Sequence, residues 1–437
     1  MKKILFAFAI GISITVSAQM GTKVASTATK VINVNDVERI EKILASDEMK
    51  GRRAGSPEIE KAADFIANEF KQAGLEPANE TGYLQQFSMV RPQLVSAKGE
   101  INDSEIDAKN IIAITSQAEL KVDEKSGYAV RIIKAGEEFR SAINKIIAEK
   151  KNAVVFVDTS FSNTFPRLRG LQRQSFKSGN SQNGTNTIFV LGNFQPKEFK
   201  FKFEHSFQEQ KFANVVGVLP GKSKKNEYVI FSAHYDHIGV GKAVEGDSIY
   251  NGANDDAAGT TAVIMLARHF KKLSNNERTI IFAAFTAEEI GGYGSQYFSK
   301  QYDPALVMAM FNIEMIGTES KWGKNSAYIT GFDKSSMGEI LQQNLKGTSF
   351  KFYPDPYTDQ NLFYRSDNAT LARLGVPAHT ISTSKMDTEP NYHKVSDEVE
   401  TLDLHNMAEI ILAIAESSKT IVAGKDTPSR VKTDSLN

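Results

Sequence analysis

The spacing of apolar and polar positions changes twice along the chain. Between residues 31 and 73, apolar residues recur every three to four positions, which predicts two amphipathic helices. Ser56-Pro57 is a typical helix start and Gly74 a typical stop, so they bound the second helix. We assign residues 19–94 to an N-terminal, helical part of the main domain.

The stretch from residue 95 to residue 213 has a different character. Its apolar residues form alternating or short continuous runs, which are typical of strands. A polar segment rich in glycine and asparagine, residues 175–187, interrupts them. We therefore expect residues 95–213 to be a mostly β domain inserted into the chain.

From residue 214 onward, predicted strands alternate with helices, of which residues 257–273 are the clearest. The predicted strands are residues 215–219, 228–233, 278–285, 307–313 and 378–381. This alternation predicts the α/β class, with an open, mostly parallel or mixed sheet covered by helices on both faces. We expect this part to span residues 214–422 and to be followed by a disordered tail, residues 423–437.

Residues 1–18 have the three parts of a secretory signal peptide. Lys2 and Lys3 precede an apolar stretch at residues 4–16, and Ser17-Ala18 supplies small residues for cleavage. That stretch is too short to cross a membrane, and no later apolar run is long enough. We expect an exported protein, periplasmic or extracellular, without a membrane span.

The composition argues against several classes of binding partner and excludes some catalytic chemistry. Lysine plus arginine equals aspartate plus glutamate, at 52 each, so no net field favours nucleic acid or an anionic membrane surface. The chain has no cysteine, which excludes a thiolate nucleophile and a cysteine-bound zinc. Nothing in the composition assigns an oligomeric state.

Polar residues that can bind metals follow the predicted strands. In open α/β sheets, ligands bind beyond the carboxyl ends of the strands. Five segments bring imidazoles and carboxylates to that edge: His234-Tyr235-Asp236-His237, Asp255-Asp256, Glu288-Glu289, Glu314 and Tyr392-His393. A buried cluster of carboxylates is costly unless it is compensated, and two divalent cations would compensate it.

The mixed set of imidazole and carboxylate donors suits zinc best, and cobalt and manganese are the alternatives. One carboxylate can bridge two metal ions that share a water, and one carboxylate must stay off the metals to take the proton of that water. The adjacent Glu288 and Glu289 can supply a base and a ligand. The sequence therefore predicts a hydrolase centre with two metal ions.

Several segments resemble the two-zinc aminopeptidase and glutamate carboxypeptidase family of metallopeptidases, and in particular its secreted bacterial aminopeptidases. They are SAHYDHIG (232–239), NGANDDAAG (251–259), AFTAEEIGGYGSQ (284–296), NIEMIG (312–317) and YHKVSDE (392–398). Residues 44–56 and 363–378 are also similar to that family. In position only, residues 95–213 resemble its protease-associated domain.

The resemblance implies a role for each residue, with two zinc ions per chain as cofactor. His234 and Glu314 would bind one zinc ion, Glu289 and His393 the other, and Asp255 would bridge both. Glu288 would be the general base. Asp236 would orient His234, and Asp397 would do the same near His393.

Some assignments stay open at this stage. Glu314 stands where most members of the family have aspartate, which is one methylene shorter. Either Tyr392, which we favour, or Tyr364 could supply a hydroxyl that stabilises the oxyanion. His237 lies close enough to the motif to contact substrate, but its spacing does not decide this.

The predicted function is a zinc-dependent exopeptidase that acts on peptides. We favour an aminopeptidase, because the carboxylates would attract a free α-amino group, whereas a carboxypeptidase needs a cationic clamp. Arg365 and Arg373 are the arginines near the last strand, and Asp367 could pair with Arg365. The alternatives are a carboxypeptidase or dipeptidase, a glutaminyl cyclase, and a metal-free binding module.

Overall fold

The computed structural model describes residues 31–169, 177–178 and 184–433. The chain forms two compact units, one of residues up to Gln85 and from Ala213 onward, and one of residues Gln86–Phe212. The second unit begins nine residues earlier than the predicted insert, because the strand Leu84–Ile101 starts within the stretch that we assigned to helices. The predicted signal peptide lies outside the described residues.

The larger unit contains a mixed sheet. The central strand Lys224–His234 runs parallel to both of its neighbours, Arg278–Phe285 and Val307–Ile313. In spatial order the strands are Lys351–Pro354, Ser326–Ile329, Ala378–Ser382, Val307–Ile313, Lys224–His234, Arg278–Phe285 and the C-terminal part of Phe199–Leu219. The last of these pairs antiparallel to Arg278–Phe285, and Ser326–Ile329 pairs antiparallel to Ala378–Ser382.

The two faces of this sheet are covered by different apolar clusters. Along the central strand, Val229, Phe231 and Ala233 point into one cluster and Ile230 into the other, as the two-residue repeat of a strand requires. The helices of the unit are Val34–Leu44, Pro57–Ala73, Ala258–Leu273, Tyr293–Ser299, Met337–Asn344, Asn368–Ala372 and Leu404–Val422. The predicted α/β fold with helices on both faces is therefore confirmed.

The predicted helix boundaries near the N-terminus follow from local chemistry. The Ser56 hydroxyl accepts a hydrogen bond from the N–H group of Ile59 at 3.3 Å, which caps the helix Pro57–Ala73. Gly74 ends this helix with a φ of 80°, a left-handed conformation that glycine adopts without strain.

Three elements of the larger unit were not predicted from the sequence. The strands Ser326–Ile329 and Lys351–Pro354 extend one end of the sheet. A hairpin, Gly239–Val244 with Asp247–Tyr250, leaves the sheet after His237 and returns just before the loop of Asp255. The hairpin therefore separates two candidate ligand segments along the chain while its ends stay close.

The smaller unit is mostly β. One sheet has the strand order Ile111–Ile114, Thr187–Leu191, Ala153–Val157, Ala129–Ile133, and the helix Phe139–Ala148 packs beside it. Its other strands are Ser104–Ile106, Glu119–Asp123, Lys177–Ser178 and parts of Leu84–Ile101 and Phe199–Leu219. The alternating run 199–203 buries Phe199, Phe201 and Phe203 in a core of its own.

The described part of the expected disordered tail is ordered against the larger unit. Arg430 donates hydrogen bonds to the carbonyl oxygens of Val307 and Pro304 at 2.7 and 2.6 Å. Val431 is buried in the apolar cluster on one face of the sheet. The prediction of disorder is wrong for residues 423–433, because a single apolar residue among polar ones gives no periodic signal.

Among the described residues, no helix combines the length and the apolar character that crossing a membrane requires.

Candidate metal centre

The parallel strands bring three candidate segments to one edge of the sheet. His234 lies opposite Phe285, so the residues after each strand, including Glu288 and Glu289, emerge at the same level. Ser232 lies opposite Asn312 on the other side, which places Glu314 at that edge as well. The expected convergence of these segments follows directly from the parallel register.

Asp256 fixes the loop that carries Asp255. One of its carboxylate oxygens accepts from the N–H groups of Gly259 and Met315 at 3.0 and 3.1 Å. The other accepts from the N–H group of His234 at 3.3 Å. Asp256 therefore holds the first turn of the following helix and also ties the loop to two strand ends.

The two oxygens of Asp255 face two different groups of donors. Oδ1 lies 3.3 Å from Nε2 of His234, and Oδ2 lies 3.2 Å from Nε2 of His393. Because the carboxylate is almost fully buried between them, it has the geometry of a bridging ligand.

The first group consists of His234, Asp255 and Glu314, whose donor atoms all lie within 4.8 Å of one another. Oε2 of Glu314 is buried and has no hydrogen-bond partner among the described residues. A buried acceptor without a donor is costly, and a cation would satisfy it. The extra methylene of glutamate therefore does not move this carboxylate out of reach of the group.

The second group is built around Asp255 and Glu289. Nε2 of His393 lies 3.2 Å from a carboxylate oxygen of each of them. Tetrahedral zinc with bonds of about 2.0–2.1 Å spaces its donors roughly 3.3–3.4 Å apart, so these distances fit a zinc ion.

His237 belongs to the second group, although its spacing in the sequence left its role open. Its ring is fully buried, and Nδ1 lies 2.8 Å from Oε1 of Glu289. His237, Asp255 and Glu289 together offer donor atoms within 4.8 Å of one another. The ring contacts the oxygen of Glu289 that does not face His393, so it is placed to orient that carboxylate.

Burial and the crowding of carboxylates shift the pKa values of side chains in both donor groups and of Glu288. Burial raises the pKa of Glu314 to about 7, and it raises the pKa of Glu288 well above its ordinary value. Burial lowers the pKa of His393, but hydrogen bonds to Asp255 and Glu289 outweigh it and raise that pKa to about 10. Excess negative charge in a buried site favours bound cations.

Asp236 contacts His234, but not through the carboxylate that was predicted to orient the histidine. Its main-chain carbonyl, at 3.0 Å, is the group that contacts Nδ1 of His234, whereas the carboxylate lies 3.9 Å away. The carboxylate accepts instead from the N–H groups of Glu288 and Glu289 at 3.0 and 3.4 Å. The reason is that Glu288 and Glu289 follow the end of the neighbouring strand, where their N–H groups need acceptors and the Asp236 carboxylate is within reach.

Asp397 also differs from its predicted role. It accepts from the N–H groups of Asn254 and Asp255 rather than from His393. Its carboxylate therefore orients the bridging loop, because two main-chain donors there would otherwise be buried without acceptors.

A cavity of about 60 Å³ opens beside the two groups. Tyr392 lines it and stacks on His393 with ring centroids 4.0 Å apart, whereas Tyr364 does not line it. The Tyr364 hydroxyl is buried and has no partner among the described residues. Of the two tyrosines that the sequence left open, Tyr392 is therefore the one that lines this cavity.

Arg365 also lines the cavity, but its predicted pairing with Asp367 is not found. Its guanidinium contacts Gln360 at 3.4 Å, and both Asp367 oxygens are without a hydrogen-bond partner in the described part of the chain. Arg365 thus keeps its charge available at the rim of the cavity.

Comparisons with known proteins show what this chain is similar to. Residues 214–418 match the sequence model of peptidase family M28. A probable leucine aminopeptidase of Trichophyton verrucosum is 30% identical over 205 residues, which cover 45% of this chain and 54% of that protein. Aminopeptidase YwaD of Bacillus subtilis is 23% identical over 366 residues, 82% of this chain and 72% of that protein. The match spans about half the length of the fungal relatives, at 54% and 53%.

Solved structures share the fold. An aminopeptidase from Aneurinibacillus sp. strain AM-1 superposes with a TM-score of 0.53 at 16% identity, covering 94% of this chain and 98% of that one. A zinc aminopeptidase of Bacillus subtilis gives 0.53 at 18% identity, covering 90% and 95%. Every residue in the two donor groups lies within the matched family segment. The part of this chain that carries both donor groups, residues 214–418, is therefore similar to peptidase family M28.

Proposed function

We propose that this protein is a zinc-dependent aminopeptidase that releases N-terminal residues from peptides by hydrolysis at a centre of two zinc ions. The observation that carries the proposal is the position of Asp255, whose two oxygens face His234 and His393 separately. A carboxylate divided in this way is suited to bridging two cations.

The ligands are divided between the two ions by the donor groups. His234 and Glu314 would hold the first ion together with Asp255, and Glu289 and His393 would hold the second together with Asp255. When bound, the two zinc ions supply a water of lowered pKa and positive charge for the developing oxyanion. His237 and Asp236 do not need to bind zinc in this scheme, because both hold Glu289 in place.

Glu288 is the general base. It lies in the same cavity as Asp255, Glu289 and Glu314 but belongs to neither donor group. The hydrogen bond from its own N–H group to Asp236 fixes the main chain at this position. A carboxylate held beside the ligands and not used by them can take a proton from the water and return it to the leaving amine.

Tyr392 donates a hydrogen bond from its hydroxyl group to the oxyanion and keeps its proton. Its ring lines the cavity and is held by stacking on His393, so the hydroxyl group stays beside the reacting carbonyl. A hydrogen-bond donor aimed at developing charge lowers the barrier.

The free α-amino group of the substrate is recognised by the surplus of carboxylates. Glu288, Glu289 and Glu314 line one small cavity, where an ammonium group gains from their charge. The relatives named above as aminopeptidases support the same choice. The second candidate is a carboxypeptidase. It is favoured by Arg365 at the rim, which has no carboxylate partner in the described part of the chain, since arginine binds a terminal carboxylate through two hydrogen bonds.

Export by residues 1–18 is part of the proposal, and it rests on the sequence pattern alone.

The test compares two substrates of equal size in the presence and absence of a chelator. One is a dipeptide amide with a free amine, and the other is an N-acetylated dipeptide with a free carboxylate. We expect chelator-sensitive cleavage of the free-amine substrate only. Preferential cleavage of the acetylated substrate would replace the aminopeptidase with the carboxypeptidase and leave the metal centre intact, whereas cleavage of neither would contradict the proposed function.

A further inference from the structure

Arg52 is a fully buried cation that donates its hydrogen bonds to main-chain oxygens. It ends the short helix Asp47–Arg52, far in sequence from the metal centre. Its Nε donates to the carbonyl of Tyr235 at 2.8 Å, and its two Nη groups donate to Asn251 and Gly252 at 2.7 and 2.9 Å. A further hydrogen bond reaches the carbonyl of Leu44.

These carbonyl groups belong to the two segments that carry the proposed ligands of the first zinc ion. Tyr235 directly follows His234, and Gly252 lies three residues before Asp255. The hairpin Gly239–Val244 with Asp247–Tyr250 separates the two segments along the chain. One planar guanidinium group therefore joins both segments and limits how far apart they can move.

The main chain around Arg52 holds the same two segments. The carbonyl oxygen of Arg52 accepts the N–H group of His237 at 3.3 Å. Asp47, at the start of the same short helix, accepts from the side chain of Asn251 at 2.9 Å. A side chain at Gly51 would place its Cβ 2.2 Å from the carbonyl oxygen of Tyr250, so the short helix and the end of the hairpin approach each other closely here.

Lysine cannot replace this arrangement. Arginine presents five N–H donors in a rigid plane, whereas lysine offers a single ammonium group on a flexible stem. Acceptors in three separate segments need the wide, planar donor set. The geometry of the guanidinium group, rather than its charge alone, connects the two ligand segments.

We infer that Arg52 is a positioning residue that sets the distance between His234 and Asp255 and thereby the zinc affinity of the centre. The inference rests on the proposed two-zinc function. Arg52 belongs to neither donor group, so it acts through the loops that it joins.

The chain offers a matched control in Arg278. This residue is also buried, and it also donates to main-chain carbonyl groups, those of Ile421 and Asp426 at 2.8 and 2.6 Å. It begins the strand Arg278–Phe285, so it lies at the opposite end of the sheet from the ligands. Replacing it disturbs a buried guanidinium group without touching the metal centre.

The experiment measures zinc dissociation constants by chelator competition in the full protein, for wild type, Arg52→Lys and Arg278→Lys. We expect Arg52→Lys to bind zinc about 10- to 100-fold more weakly, as happens when groups that orient metal ligands are changed. Arg278→Lys should stay within about twofold of wild type, even if its unfolding temperature falls. The visible spectrum of the cobalt-substituted protein should change in Arg52→Lys and not in Arg278→Lys.

Unchanged zinc affinity in Arg52→Lys, or equal weakening in both variants, would overturn the inference. An Arg52→Lys protein that stays unfolded at saturating zinc would also overturn it, because Arg52 would then serve the fold as a whole. The wild-type protein separates this inference from the proposed function. If wild type binds two zinc ions and only the Arg52 result fails, the two-zinc centre stands.

Discussion

The carboxylate of Asp397 accepts a hydrogen bond from the main-chain N–H group of Asp255 at 3.0 Å, across 142 residues of chain. It also accepts from Asn254 at 2.8 Å. Because Asp397 lies four residues after His393, it connects the loop of one proposed ligand to the loop of the bridging ligand. The geometry of the second donor group therefore depends on this contact.

Replacing Asp397 with asparagine should weaken zinc binding by about 10- to 100-fold, because an amide offers one acceptor where two main-chain donors need one each. Chelator competition would measure this effect. Thr401→Ala, at an exposed position in the following short helix, is the control and should bind zinc like wild type. Equal affinity in Asp397→Asn and wild type would show that the bridging loop is held by its other contacts alone.

Glu288→Gln and Asp255→Asn should separate proton transfer from metal binding. Glu288→Gln removes the base but no ligand, so we expect unchanged zinc content and a kcat at least about a hundredfold lower. Asp255→Asn should lose zinc, because the bridge between the two donor groups is weakened. Elemental analysis combined with steady-state kinetics would test both variants. Near-normal rates with full zinc content in both would refute the assignment of this loop.

The strands that carry the ligands could be predicted because burial on both faces makes them continuous apolar runs. Residues 278–285 and 307–313 have the predicted bounds in the structure. Parallel neighbours then place Glu288 and Glu314 at one edge without further information. The strands Ser326–Ile329 and Lys351–Pro354 were missed, because they are only four residues long and lie at the end of the sheet.

The contacts that orient the ligands could not be predicted in the same way. Asp397, Asp256 and Arg52 act by hydrogen bonds to main-chain groups that are distant in sequence, and a sequence pattern gives no signal for the partner. Asp397 and Asp236 were expected to face the nearest histidine. Their carboxylates instead accept hydrogen bonds from buried main-chain N–H groups nearby, which would otherwise have no acceptor. The sequence gives no sign that Arg52 is buried, because arginine is usually exposed to solvent.

His379 should make the protein less stable in mild acid. Burial lowers its pKa to about 4, while Nε2 contacts the Ser335 hydroxyl at 2.6 Å. Because the unfolded chain binds a proton near pH 6.5 and the folded one does not, the stabilisation is present above pH 6.5 and is lost as the pH falls toward 4.

Between pH 7 and pH 5, the free energy of unfolding should fall in wild type. In His379→Gln we expect this fall to be smaller by about 2 kcal/mol. Denaturant unfolding at both pH values, at equal free zinc, would measure this difference. His405→Gln changes an exposed histidine and should follow wild type. A His379→Gln protein with the same pH dependence as wild type would contradict the prediction.

The ordered end of the chain should contribute to stability. Val431 is 4% exposed and packs with Val307 and Val376, so Val431→Ala should lower the unfolding free energy by about 2 kcal/mol. Lys432→Ala, at the exposed next position, should leave it unchanged. Thermal or denaturant unfolding would compare the two. Equal stability of both variants would contradict this prediction and would favour the disordered tail that was predicted from the sequence for residues 423–433.

The zinc content of the purified protein tests the central claim most directly. Asp255 has one oxygen 3.3 Å from His234 and the other 3.2 Å from His393, and the proposed function has one zinc ion on each side of this carboxylate. Elemental analysis of protein dialysed against metal-free buffer should give about two zinc ions per chain. A reproducible value of one or none would contradict the two-zinc centre and the mechanism built on it.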